Sequence, residues 1–170
     1  MLNLLRKSAA RKQLARALYD KLVERAREPV FFAVFGVPDT IDGRFDLVAL
    51  HAWLVLSRLK ASGQDQAAQD LTDTIFTAFD EALREQGAGD TAMGRKMKAM
   101  ADAFYGRLAT YEAAANQDEL AAALARNLWR GGTVEGHART LARYVSIARQ
   151  TLESTALEEG GLDFGPLPTI

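Results

Sequence analysis

The sequence predicts an all-α protein, a single-domain bundle of about six helices with a long loop between the first two. Three observations predict it. Apolar residues recur three and four apart over long stretches. Alanine, the strongest helix former, makes up about a sixth of the chain, and no stretch shows the alternation of a half-buried strand. The prolines fall at Pro29, Pro38, Pro166 and Pro168, outside the periodic stretches they would otherwise break. A length of 170 residues is the ordinary size of one core.

The first helix is expected over residues 11–27, where Leu14, Leu18, Leu22 and Ala26 form a stripe widened by Ala17 and Val23, and Pro29 ends it. Residues 30–35 are a short apolar run that fits either a strand or a buried helical turn. Residues 36–43 are rich in turn formers and read as the long loop. The second helix, 44–61, carries Phe45, Val48, Ala52, Trp53, Leu56 and Leu59 at helical spacing, with Gly63 as its stop. It is apolar almost all round between Leu47 and Leu56, which places it at the centre of the bundle.

The third helix, 65–86, turns Ala68, Leu71, Ile75, Phe79 and Leu83 inward. The fourth, 90–115, starts at Asp90 as N-cap and lines one face with Met93, Met97, Met100, Phe104, Leu108 and Tyr111. A fifth, 118–130, is capped by Asp118 and broken by Gly131-Gly132. The sixth, 134–154, carries Leu141, Tyr144, Val145, Ala148 and Leu152. The chain thus divides into a basic and apolar segment at 1–12, a helical domain at 13–154 and a loose tail at 155–170, marked by Gly160-Gly161 and two prolines.

Composition excludes several chemistries. Cysteine is absent, so there are no disulfides, thiol nucleophiles or cysteine-held metals. The histidines are His51, set among apolar neighbours and read as a bonded core or boundary residue, and His137, read as exposed. Neither stands in a catalytic triad pattern, and no phosphate-binding loop accompanies them. The acids Asp65, Asp70, Asp73, Asp80, Glu81 and Glu85 lack the Glu-x-x-His partners of a carboxylate metal site and read as a solvated helix face. No metal or cofactor is expected. No apolar run approaches the ~20 residues of a membrane span, and the N-terminal basic residues follow the apolar ones, the wrong order for a secretory signal. A cytoplasmic protein is expected.

Charge is segregated: residues 1–38 carry net +5, 39–90 net −6, 91–150 net +4 and the remainder −4. With a pI near 6.1 and no nucleic-acid fold signature, sequence-specific nucleic-acid binding is not expected. Electrostatic contact of the basic segments with a ribosome or an anionic membrane remains open. Gly106 inside a helix costs roughly 1 kcal/mol against alanine, which predicts close approach of another element there.

Two segments are more particular than helix packing requires. Gly36-Val37-Pro38-Asp39-Thr40 with Asp42-Gly43-Arg44-Phe45-Asp46 and Leu50-His51 is one; Phe104-Tyr105-Gly106-Arg107 with Tyr111 is the other. Together with Asp80, Leu83-Arg84-Glu85, Gly87, Gly89-Asp90 and Arg126-Asn127-Leu128, they resemble the ubiquinol–cytochrome c chaperone family, over residues 18–130. Two mild departures are Phe79, where methionine is commoner, and Ala88, where valine is commoner. Without a presequence or a long N-terminal extension, the chain looks like the short bacterial form.

The resemblance implies an all-α, non-enzymatic chaperone for assembly of respiratory complex III, with newly made cytochrome b as client. It also implies a second assembly factor and the ribosome as partners; separately, the mixed apolar and basic residues 1–12 suit peripheral contact at the membrane surface. The interaction surface is expected at Val37, Asp39, Asp42, Arg44 and Phe45, continuing to His51. Phe104, Tyr105, Arg107 and Tyr111 are expected to complete it. Met93 and Met97 read first as core, with adaptable client contact as the alternative role. A rival reading is a small-molecule or lipid-binding protein whose pocket is lined by Phe31, Trp53 and Phe104.

Overall fold

A computed structural model describes the backbone of residues 2–132, 135–157 and 160–170, and the side chains of all of these except residues 2–5 and 135. Seven helices follow one another among the described residues: α1 (Leu2–Ala26), α2 (Pro29–Ala33), α3 (Ile41–Ala61), α4 (Asp65–Glu85), α5 (Asp90–Glu112), α6 (Gln117–Trp129) and α7 (Glu135–Glu153). Six are long and α2 is a single turn opened by Pro29, whose missing N–H costs nothing at a helix start. The apolar run at 30–35 therefore resolves as a buried helical turn, with Phe31 and Phe35 completely covered.

The all-round apolar helix is central as expected: α1, α4, α5, α6 and α7 all pack against α3. From Leu47 to Leu56 every α3 residue is buried. Burying such a helix on all sides is what its composition requires, since no polar face is available for solvent.

Several boundaries differ from expectation for local reasons. α1 extends back to Leu2 rather than beginning near residue 11. α3 begins at Ile41 because Thr40 caps it, its Oγ1 accepting from the Gly43 N–H at 3.1 Å. The loop shrinks accordingly to residues 34–40. α5 is capped by Gly89, with Asp90 inside the first turn where its charge suits the helix dipole. α6 is capped by Asn116 rather than Asp118: Asn116 Oδ1 accepts from Glu119 N at 2.9 Å, and Glu119 Oε2 accepts from Ala115 N at 2.9 Å. Val134, expected to open the last helix, lies outside the described residues.

The short loop is tied at its start. The Phe35 carbonyl accepts from Trp129 Nε1 at 3.0 Å and from His137 Nδ1 at 3.1 Å. His137 also stacks edge-on against Phe35 at 5.5 Å, so it is half-buried and bonded rather than exposed.

The C-terminal tail is not loose. Leu157 and Phe164 are buried, and Arg25 and Lys21 of α1 hold the Gly165 and Gly160 carbonyls. Glycine and proline content marks departure from regular structure, but one aromatic side chain suffices to dock an extended segment.

Candidate functional site

α3 carries one carboxylate into the core. Asp46 is completely buried, one turn ahead of Ala49 and Leu50 on the apolar surface of the helix. A buried carboxylate needs charged partners, and two guanidiniums meet it. Arg107 from α5 donates through Nε to Oδ1, and Arg130 from the end of α6 donates through Nη1 to Oδ2 at 2.8 Å. Burial still pushes the Asp46 carboxyl above its ordinary value; the two arginines oppose that shift. Arg107 is fixed further by the Ala103 carbonyl at 3.1 Å and lies 5.1 Å over the Phe45 ring.

Arg130 reaches Asp46 from a left-handed backbone (φ 55°), unusual for a residue with a side chain, and also donates to the Asn127 carbonyl at 2.7 Å. Deeper in the same region Tyr111 is buried, with its hydroxyl beside Asn127, and burial drives its pKa well up. One carboxylate thus ties the start of α3, the middle of α5 and the end of α6.

Next to this tie lies an aromatic cluster. Phe45 packs on Phe79 at 5.3 Å, Phe79 on Phe104 at 5.9 Å, and Phe76 touches Phe79, Phe104 and Tyr105. Phe104 is fully covered, whereas Tyr105 is 52% exposed. Tyr105 stands on the rim of a groove of about 630 Å³ between α3, α4 and α5, whose lining includes Trp53, Leu56, Leu108 and Ala109. Ser57, Lys60, Thr72 and Glu112 give it polar edges. Trp53 is held in its floor: Nε1 donates to Glu112 at 2.7 Å, Tyr111 packs on one side and Arg149 lies 5.3 Å from its ring. Gly106, beside Tyr105, has nothing within 4 Å of where a Cβ would point. Among the described residues no other element approaches it closely, contrary to expectation.

The expected surface therefore separates into parts. Asp39, Asp42, Arg44 and Tyr105 are exposed, with Arg44 Nε donating to Asp39 at 2.7 Å and holding the Asp39 carboxyl below its ordinary range. Phe45 and Arg107 are half-buried supports. Val37, Phe104 and Tyr111 are core residues. Met93 is 7% exposed and Met97 packs against the core, so the methionine stripe faces inward. Met93 also lies three helical turns from Phe104, outside the cluster.

His51 is far from any surface. It is completely buried, its Nδ1–H donates to the Leu47 carbonyl at 2.8 Å, and its Nε2 accepts from the Tyr144 hydroxyl at 2.8 Å. Tyr144 in turn accepts from Arg25 Nε at 3.0 Å. Burial lowers the His51 pKa to about 4, the Leu47 carbonyl opposes this, and Arg25 adds to it. His51 therefore makes no surface contact. Phe31 packs on His51 at 5.4 Å. Phe31 and Phe104 are both sealed in the one core, against different sets of rings, so the pocket expected between Phe31, Trp53 and Phe104 does not form; of the three, Trp53 reaches the groove.

Asp46 and Arg130 were not singled out from the sequence as site residues. The available signal was a lone aspartate within an otherwise apolar helix stripe, which demands a basic partner from elsewhere in the fold. The acidic face of α4 behaves as a solvated face: Asp70 meets Arg11 and Gln66, Asp73 meets Gln69, and Asp80 meets Arg84. Among the described residues no helix is long and apolar enough to cross a membrane.

The family model described as Ubiquinol-cytochrome C chaperone matches residues 33–159, which contain α3 to α7 and the whole Asp46 tie. The chain is similar to ubiquinol-cytochrome-c reductase complex assembly factor 1 of Xenopus laevis, 28% identical over 115 residues, covering 65% of this chain and 58% of that protein. It is also similar to the Homo sapiens protein of that name, 26% identical over 142 residues, covering 81% and 48% respectively. The chain thus spans about half the length of these relatives. Among solved structures, that of the Cbp3 homolog from Brucella abortus superposes with a TM-score of 0.85 at 36% identity, over 98% of this chain and 97% of that one. A match of this extent, over the elements that build the site, means that the chain belongs to the ubiquinol–cytochrome c chaperone family.

Proposed function

We propose that the chain is a non-enzymatic assembly chaperone that holds newly made cytochrome b while complex III is built. The observation that carries this reading is the groove rimmed by Tyr105. It offers an apolar floor (Trp53, Leu56, Leu108) with polar edges, on a framework fixed by the aromatic cluster and the Asp46 tie. A client rich in apolar helices needs such a face. Small residues at Gly106 and Ala109 allow a client helix to approach α5 closely. The exposed charges Asp39, Asp42 and Arg44 at the start of α3 supply selectivity rather than affinity.

The same reading places the protein in the cytoplasm, working at the inner face of the membrane with a second assembly factor and the ribosome. Residues 1–19 contain no acid while carrying Arg6, Lys7, Arg11, Lys12 and Arg16, which suits an anionic surface of either kind.

The test is capture of the tagged chain with a short-range cross-linker from cells making respiratory enzymes. Cytochrome b enriched above other membrane proteins, and lost in Ala109→Arg and Tyr105→Glu variants that melt like the wild type, is the expected result. Cytochrome b at background in the wild type refutes the client. Equal capture by all three proteins refutes the groove.

A further inference from the structure

The C-terminal strap, residues 160–170, fills a chamber that the chaperone reading leaves unused. Phe164 enters between α1, α2, α3 and α7, 4% exposed, and meets the His51 ring edge-on at 5.2 Å. Phe31 and Tyr144 pack on the same His51 ring at 5.4 and 5.9 Å and on each other at 5.7 Å. The Arg25 guanidinium lies 5.8 Å from the Phe164 ring, within cation–π reach.

Beside the ring, Leu162 packs against the core, and α1 holds two main-chain carbonyls: Lys21 Nζ donates to Gly160 at 2.8 Å, and Arg25 Nη2 donates to Gly165 at 2.5 Å. Residues 161–170 make no backbone–backbone hydrogen bond with the described residues. Past Gly165 the strap stays on the bundle: Pro168 is buried, while Leu167 and Ile170 are exposed and, with Thr140, Arg143 and Ile147, line a groove of about 480 Å³.

The walls do not depend on the strap. Arg25 Nε holds the Tyr144 hydroxyl, Tyr144 holds His51 Nε2, and His51 Nδ1 holds the Leu47 carbonyl, so the imidazole and the phenol are satisfied within α1, α3 and α7, and the relay meets the strap through Arg25 Nη2. A rigid aromatic chamber with a cation at its mouth, beside two donors that read carbonyls, is built to accept an extended peptide carrying one aromatic side chain.

We propose that this chamber is a peptide-recognition site, occupied in cis by the chain's own strap and open to an extended, aromatic-bearing segment of a partner protein when the strap is displaced. The occupant's chemistry is read from the strap seated in it: one ring for the chamber, and carbonyls for Lys21 and Arg25. The site shares no residue with the Tyr105 groove and does not rest on the identity of the client there.

The experiment uses the full chain and a fluorescent decapeptide with the sequence of residues 161–170, alongside the same peptide with alanine at its phenylalanine. Phe164→Ala empties the chamber. Gly165→Ala leaves chamber and ring intact but puts a Cβ 2.9 Å from Thr151 Oγ1 at a φ of +72°, which loosens the strap. Both variants should bind the peptide at least about tenfold more tightly than the wild type, because affinity scales with the fraction of open chamber. The alanine peptide should not bind, and adding Arg25→Ala should remove binding.

Equal binding by wild type and variants, or by the two peptides, overturns the proposal. So does absence of binding by variants that melt cooperatively. Hydrogen exchange on the wild-type chain decides independently of any variant: amides of 161–170 should exchange well before those of α3. Exchange of the two together makes the strap a fixed part of the core and ends the idea.

Discussion

Lowering the pH should weaken this fold through one side chain. His51 is neutral, completely buried, and lies near the Arg25 guanidinium. Its Nε2 accepts from Tyr144, so a proton there would replace an acceptor with a donor facing the hydroxyl. Its pKa is about 4 in the fold against 6.5 when unfolded. Between those values the unfolded chain binds the extra proton, so stability rises with pH across this window. The contribution is complete above the unfolded value and is lost as pH falls toward the folded one. The loss amounts to about 3 kcal/mol in total and about 2 kcal/mol by roughly pH 5.

Urea unfolding followed by circular dichroism at about pH 7.5, 6 and 5, in the wild type and in His51→Leu, isolates this contribution. Every other titration is common to both proteins, including that of Asp46, whose raised pKa acts in the opposite sense. At about pH 7.5 the variant should be about 1–2 kcal/mol less stable than the wild type, from the stranded Tyr144 hydroxyl, and this deficit should shrink toward zero by about pH 5, because the variant has no imidazole to protonate. Parallel pH profiles, or an imidazole titrating near its ordinary value in NMR spectra of the folded protein, would refute the reasoning.

Other perturbations separate the remaining claims. Asp46→Ala should cost about 3–5 kcal/mol in urea unfolding, because Arg107, 17% exposed, is left facing a buried void; adding Arg107→Leu should recover part of the loss. Gly43→Ala places a Cβ 1.9 Å from the Pro38 carbonyl and should cost about 1–3 kcal/mol, read from the same curves. Gly106→Ala meets nothing and should raise stability by about 0.5–1 kcal/mol. If α5 is the docking face, the same substitution should weaken cytochrome b capture despite the firmer fold. Met93→Glu should lower the melting temperature sharply, since it buries a charge, and is therefore a test of the core rather than of client contact.

The helices were legible because each buries a stripe, and α3 most clearly because it has no polar face to misplace. What the periodicity could not carry was any feature decided by a single long-range partner. Asp46 and Arg107 were both within the segments that stood out, yet their pairing spans 61 residues and, with Arg130 added, joins three helices. The aromatic segment at 104–105 stood out as a unit, but consecutive residues on a helix face different ways, so Phe104 enters the core while Tyr105 stands at the groove. Gly106 predicted an intimate neighbour, and the structure has open space there. The strap was read from its glycines and prolines, which describe the backbone it adopts and say nothing of the ring at Phe164 that docks it.

The two buried polar constellations solve the same problem in opposite ways, and this matters for which part of the molecule can move. At Asp46 the carboxylate is charged and its partners come from α5 and α6, so separating those elements strands an ion in the core; that end of the bundle is held shut by the cost of opening it. At His51 the relay is neutral at its heart and closed within α1, α3 and α7, so withdrawing the strap leaves no orphaned donor or acceptor on the imidazole. What the strap gives up is one ring, the packing of Leu162 and Pro168, and two carbonyl contacts. The asymmetry between the two ends follows from which buried group carries the charge.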